Sequence, residues 1–226
     1  MPKNIVIFGD SYSTHASSIP VGYPTYYSRS GNPGLTPSKM EREQTWWGRL
    51  LTITGDNLLL NDSWSGSTVC YMGYNGTDCS KSGSFICRFR NYVKQGFFKE
   101  NTVDTVFVFG GTNDFWAGAP LGEVKLSGWS EDDLYCVLPA FCYFMSALKT
   151  ELPDAEICFI INTELRAEIG DCIELTGKHF GVKTVRLHDV DKIEGHPTVK
   201  GMAEICDQVL AVYENNENIN LERENL

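Results

Sequence analysis

A set of short apolar runs, each broken off by a small or polar residue, constrains what this chain can fold into more than any other feature. Asn4–Phe8 (NIVIF) ends at Gly9, Val103–Phe109 (VDTVFVF) at Gly110-Gly111, and Glu156–Ile161 (EICFII) at Asn162-Thr163. Val182–Leu187 (VKTVRL) is shorter, and Leu58–Leu60 with Asn61 is weaker still. Runs of this length without strict alternation suit strands buried on both faces, as in a parallel sheet. Stretches of helical spacing lie between them. Glu41–Thr54 carries Trp46, Trp47, Leu50 and Leu51, and Thr198–Asn215 carries Met202, Ile205, Val209 and Val212 on one stripe. Ser130–Leu152 opens on a cap followed by acids, which the helix dipole favours there, and Pro139 predicts a kink or a division. Arg166–Phe180 completes the set. Strands alternating with helices require crossover connections and helices on both faces of the sheet. No repeat or linker interrupts residues 1–226, so the expectation is a single α/β domain.

Composition narrows the function. With 42% hydrophobic and 12% aromatic residues the chain is not a disordered one. Nineteen Lys+Arg stand against 29 Asp+Glu, a net charge of −10, so neither nucleic acid nor an anionic membrane is an expected partner. Half of that charge is in the tail: Glu204 to Leu226 holds six acids and one base, and an acidic tail is expected over about 214–226. The eight cysteines are scattered, with no C-x-x-C pair and no zinc-ligand spacing. Several lie in apolar runs, where a thiol behaves as a small hydrophobe, so mostly reduced thiols and no metal are expected. A disulfide in the 70–87 loop, among Cys70, Cys79 and Cys87, is the alternative. The opening MPKNIVIFGD contains neither an apolar leader core nor a cleavage site. A cytoplasmic protein is expected, unless a leader has been removed.

Two stretches are too long for simple connections. Residues 12–39 are rich in Ser, Pro, Gly and Tyr, and residues 66–83 in Gly, Ser, Asn and Tyr. Both follow a strand's carboxyl end, where open α/β sheets place their ligands, so both read as specificity loops. Four local signals accompany them. Gly9-Asp10-Ser11-Tyr12-Ser13 follows the first strand, and Asn61-Asp62-Ser63-Trp64-Ser65-Gly66 the weak second one. Gly110-Gly111-Thr112-Asn113-Asp114 follows the next, and Glu194-Gly195-His196-Pro197 precedes the last helix. Singly, each is ordinary turn or cap chemistry. Together they supply every role of nucleophilic catalysis once. Ser11 is a candidate nucleophile and His196 the base that takes its proton. Gly66, lacking a Cβ, can bring a backbone N–H close to substrate, and Asn113 can offer a side-chain amide.

These motifs resemble the blocks of the SGNH (GDSL-like) hydrolases over nearly the whole chain, from Ile5 to about Val212. GDSYS is similar to the family's first block, N-x-x-x-S-G to its second, GGTND to its third and His196-Pro197 to its fifth. The resemblance implies a three-layer α/β/α sandwich with a mostly parallel, flavodoxin-like five-stranded sheet. It also implies hydrolysis of esters or related acyl groups without a metal or other cofactor. Ser11 would be the nucleophile, His196 the general base, and Ser11, Gly66 and Asn113 the oxyanion hole. Asp10 would support the nucleophile turn, and Asp114 would do the same after Asn113. One departure stands out: the family's Asp three residues before the histidine is Ile193 here. Glu194 is the first candidate for the orienting acid and Asp191 the second, with a Ser-His dyad resting on a backbone carbonyl close behind.

Aromatic and polar residues crowd the motifs, and Trp64 and Trp116 directly follow two of them. Trp46 and Trp47 read as core, whereas Trp64 and Trp116 are candidate pocket walls. Aromatic faces mixed with Asn, Ser and Thr suit a sugar ring better than a long acyl chain. The expected activity is therefore a carbohydrate esterase removing small acyl groups from a small-molecule or oligosaccharide ester. A broad short-chain esterase, thioesterase or lysophospholipase is the alternative enzyme. A non-catalytic carbohydrate-binding module on the same scaffold is the alternative outside catalysis. Nucleotide and flavin binding are disfavoured, since neither G-x-G-x-x-G nor a P-loop occurs.

Overall fold

The computed structural model describes residues 1–213, so the acidic tail expected over about 214–226 lies outside the described residues. Five strands form one sheet: β1 (Asn4–Gly9), β2 (Asn57–Ser63), β3 (Thr105–Phe109), β4 (Glu156–Ile161) and β5 (Lys183–Arg186). Every pairing is parallel and the order is β2-β1-β3-β4-β5. The helices are α1 (Trp46–Thr54), α2 (Phe85–Lys94), α3 (Phe97–Glu100), α4 (Thr112–Trp116), α5 (Val137–Glu151), α6 (Ala167–Phe180) and α7 (Val199–Tyr213). A two-stranded hairpin, β6 (Lys192–Ile193) and β7 (His196–Pro197), precedes α7.

The apolar runs lack alternation because both faces of the sheet are covered. Val6, Phe8, Val106, Val108, Ile157 and Phe159 pack on one side against α2, α5 and α6. Ile5, Ile7, Phe107, Phe109, Cys158 and Ile160 pack on the other against α1 and α7. Each such side chain contributes about 1.5–3 kcal/mol on burial, so two cores built this way hold three layers together. Trp46 and Trp47 belong to the second core, as their helical spacing predicts. Among the described residues, no helix is long and apolar enough to cross a membrane.

Two expectations need correction. The stretch Ser130–Leu152 is not one helix: a 3-10 turn over Asp132–Tyr135 precedes α5, and Ser130 serves that turn through Asp133. Pro139 kinks nothing, because it is the third residue of α5, where a missing N–H would have had no helical partner. Helices α2 and α3 follow the second long loop, in residues for which the sequence suggests no element. The eight cysteines are all free, so no disulfide closes the 70–87 loop.

Topology fixes where a site can form. The chain leaves β1 for β2 on one side and returns to β3 on the other. The segments after β1 and β3 therefore diverge, opening a crevice at the carboxyl edge of the sheet. Ser11 follows β1 and Asn113 follows β3.

Candidate active site

The turn carrying Ser11 is built by close packing around Gly9. A Cβ at Gly9 would lie 2.5 Å from both Ser13 Cβ and Ser63 Oγ, so only glycine lets β1 end there. Asp10 caps the 3-10 turn Ser11–Ser13, its Oδ1 accepting the Tyr12 N–H at 3.0 Å. Its carboxyl group is fully buried and Oδ2 has no partner. Burial pushes its pKa up to about 7, and the neighbouring Asp114 adds to the rise. The far end of the turn is pinned at Ser13. Trp46 Nε1 donates to its Oγ at 3.1 Å, and Trp47 Nε1 and Asn61 Nδ2 donate to its carbonyl at 2.9 and 3.0 Å.

His196 arrives on the β6–β7 hairpin. Glu194 (φ 50°) and Gly195 (φ 76°) both have positive φ, the signature of a two-residue hairpin turn that matches strand twist. His196 Nε2 lies 3.1 Å from Ser11 Oγ, and Nδ1 lies 3.2 Å from the Glu194 carbonyl oxygen. A carbonyl only accepts, so Nδ1 carries the proton and Nε2 is left as the acceptor facing the serine. The hydrogen bonds of His196 thus include neither candidate carboxylate. Asp191 Oδ2 instead accepts from Thr198 Oγ1 ahead of α7. The Tyr26 ring stacks on the imidazole at 3.7 Å between centroids and 4° between planes, with Tyr12 and Trp116 at 5.4 and 5.7 Å. Burial lowers the imidazole's affinity for a proton below the ordinary 6.5, and the nearby Lys192 charge lowers it further.

The hairpin is moored on several sides. Tyr12 donates to the Gly195 carbonyl, and Tyr27 donates to that of Pro197 at 2.9 Å. Lys192 Nζ donates to Asn162 Oδ1 and Thr163 Oγ1, both at 2.8 Å, at the end of β4. Tyr12, Tyr26 and Tyr27 are buried and brace the histidine, whereas substrate-facing walls would be exposed. Composition flagged the loop without revealing which way its rings turn.

The remaining candidate residues follow β2 and β3. Asn113 opens α4; its Oδ1 accepts from the Tyr74 hydroxyl at 2.8 Å, and its buried Nδ2 has no partner. Asp114, its neighbour, accepts from the backbone N–H groups of Val69 and Cys70 at 2.9 Å each. It thereby ties the segment after β2 to the segment after β3. Gly66 is exposed and has φ +83°, and a Cβ there would meet nothing within 4 Å. Glycine is required at this position by its left-handed backbone, not by crowding. Trp116 stands at the rim, 38% exposed, while Trp64 is half-buried against Tyr23 with ring centroids 4.6 Å apart.

One ion pair behind the site has no counterpart in the sequence motifs. Arg88 of α2 and Asp62 of β2 meet at 2.7 Å, both buried. The same guanidinium donates to the carbonyls of Gly9 and Gly83. Arg88, Tyr74, Lys192 and Asn162 escape a reading of sequence because each acts through a contact distant in the chain.

A serine hydroxyl beside a neutral imidazole nitrogen, in a fold that also carries an unpaired amide after the adjacent strand β3, can perform nucleophilic acyl transfer. The chain's relatives agree with that chemistry. The model of the GDSL-like lipase/acylhydrolase family matches residues 3–213. A solved structure described as a GDSL-like lipase from Bacteroides ovatus is 35% identical with a TM-score of 0.85, covering 95% of this chain and 99% of that one. Another so described, from Bacteroides uniformis, is 42% identical with a TM-score of 0.80, covering 93% and 94%. An acetyl xylan esterase from Butyrivibrio proteoclasticus shares the fold at 15% identity and a TM-score of 0.60, covering 96% of this chain and 64% of that one. No curated protein sequence matches. The chain belongs to the GDSL-like lipase/acylhydrolase family of hydrolases.

Proposed function

We propose that the protein is a serine esterase that releases small acyl groups from carbohydrate esters through an acyl-enzyme. The observation that carries this reading is the 3.1 Å approach of His196 Nε2 to Ser11 Oγ. Ser11 Oγ attacks the acyl carbonyl carbon as its proton passes to Nε2. The oxyanion that forms is held by the Ser11 and Gly66 backbone N–H groups and by Asn113 Nδ2. His196 then gives its proton to the leaving alcohol oxygen. A water molecule, losing its proton to Nε2, attacks the acyl-serine, and the returning proton restores Ser11. Throughout, the Glu194 carbonyl holds the ring, so Ser11 and His196 work as a dyad.

The rim supports a sugar on the alcohol side. Tyr74, Phe115 and Trp116 expose more than a third of their surface around the site, giving flat apolar faces for the C–H faces of a pyranose ring. The fold serves the same chemistry in the acetyl xylan esterase, which supplies the precedent of a scaffold and nothing closer. The test compares acetylated oligosaccharides with medium-chain acyl esters, using Ser11→Ala as control. The expected result is turnover of the acetylated sugars, abolished in Ser11→Ala. Undiminished activity in that variant would overturn the mechanism, and a preference for medium chains would overturn the substrate class.

A further inference from the structure

We propose that Tyr74 is a positioning residue for the oxyanion site: its hydroxyl holds the Asn113 amide so that the N–H groups face the nucleophile. The proposal rests on the serine-hydrolase reading above and extends it to a residue outside the family motifs. A side-chain amide has two orientations, exchanged by a half-turn, that present opposite polarity to the site. Only one of them stabilises an oxyanion. In this structure Oδ1 is engaged, accepting the Tyr74 O–H at 2.8 Å, and Nδ2 is left buried without a partner. A phenol is a stronger donor than acceptor, because its ring withdraws oxygen lone-pair density. Tyr74 therefore favours the orientation in which it meets Oδ1. An unpaired buried donor is costly, and that cost is recovered when an oxyanion forms.

The loop that carries Tyr74 is organised for this contact. Tyr74 opens a 3-10 turn whose flanks are closed by Gly73 N–H donating to the Thr77 carbonyl at 2.8 Å, with Asn75 at φ 56°. Beyond it, Cys79 N–H donates to the Tyr71 carbonyl at 2.8 Å, and the Tyr135 hydroxyl reaches Asp78 at 3.0 Å. Before it, Asp114 grips the backbone of Val69 and Cys70. Residues 113 and 114 thus hold one loop by two consecutive side chains.

The experiment measures the rate at which a fluorophosphonate labels Ser11, because its phosphoryl oxygen occupies the oxyanion position. Tyr74→Phe keeps the ring and removes the hydroxyl. Labelling should slow about tenfold, less than the order of 10² expected for Asn113→Ala, in which the donor itself is lost. Added to Asn113→Ala, Tyr74→Phe should cause no further slowing, since there is no amide left to orient. On an acetyl ester, kcat should fall with KM unchanged within about twofold. Equal slowing in both backgrounds would show a merely structural role and overturn the proposal. So would Tyr74→Phe labelling at the wild-type rate. If the wild-type protein itself is not labelled, the hydrolase reading fails first and the proposal fails with it.

Discussion

A carbonyl oxygen accepts the Nδ1 proton of His196 at 3.2 Å, and a carbonyl differs from a carboxylate in what it offers an imidazole. It fixes the tautomer and the ring orientation equally well, but opposes the imidazolium charge with a dipole instead of a full negative charge. Glu194 provides that carbonyl from a backbone with φ 50°, a conformation that Asn tolerates better than most side chains. Glu194→Asn therefore removes the carboxylate without straining the turn, which Ala would do. Its kcat should stay within about threefold of wild type. A loss approaching the ~10⁴ that follows removal of a triad aspartate would show that the carboxylate takes part after all. Asp191→Asn should be equally mild at the site, since Asp191 bonds Thr198. The serine and histidine could be read from sequence because their motifs are local: a strand end and a turn before a helix. A carbonyl-supported dyad is among the readings the sequence allows, but which carbonyl serves is not, because a carbonyl belongs to every residue and its aim is set by two dihedral angles.

Helix α2 shows what hydropathy hides. Its apolar residues Phe85, Ile86 and Phe89 enter the core, but Arg88 and Arg90 interrupt them and break up the apolar stripe by which a helix is recognised. Arg88 is itself buried, 2% exposed, because Asp62 meets it inside. Strands β1, β3 and β4 are legible for the opposite reason: a strand covered on both faces keeps its polar residues at its ends, here Asn4, Thr105 and Glu156, and its interior is uniformly apolar. The hairpin β6–β7 is not, since two residues per strand are too few to show any period. The Arg88–Asp62 pair ties α2 to β2 and to the Gly9 carbonyl that ends β1. Removing one partner strands the other charge in the interior, at a cost of about 3–5 kcal/mol. Arg88→Met should lose stability on that scale in denaturant unfolding. Arg88→Met combined with Asp62→Leu should lose less than the single change, because no uncompensated charge remains. A double variant as unstable as the sum of the singles would show that the two residues stabilise the fold independently.

Across the whole molecule, the first and last motifs of the chain must meet, and the sheet alone does not bring them together. Ser11 is fixed by β1, an interior strand next to the β2 edge of the sheet, whereas His196 hangs on a hairpin beyond β5 at the other edge. Side chains from distant segments close the gap: Tyr12 and Tyr27 hold the hairpin's carbonyls, and Lys192 reaches back to Asn162 and Thr163 after β4. Lys192 thus brings a positive charge near the base, while Glu164, 3.5 Å from its Nζ, brings a negative one. The two act on His196 with opposite sign: Lys192 lowers its proton affinity, on top of the larger effect of burial, and Glu164 raises it. The base works only when neutral, so a pKa below the ordinary 6.5 extends activity to more acidic pH. The acid limb of kcat/KM should accordingly lie below pH 6.5. Lys192→Gln keeps a hydrogen-bond donor but removes the charge, so the limb should move up toward 6.5. Glu164→Gln removes the opposing charge and should move the limb further down. Because one change raises the limb and the other lowers it, loosening of the hairpin cannot imitate the pair. Loss of mooring lowers the plateau in both variants without separating their midpoints. Limbs that stay together, or shift in the same direction, would place the control of His196 in burial alone and leave Lys192 a purely mechanical tie.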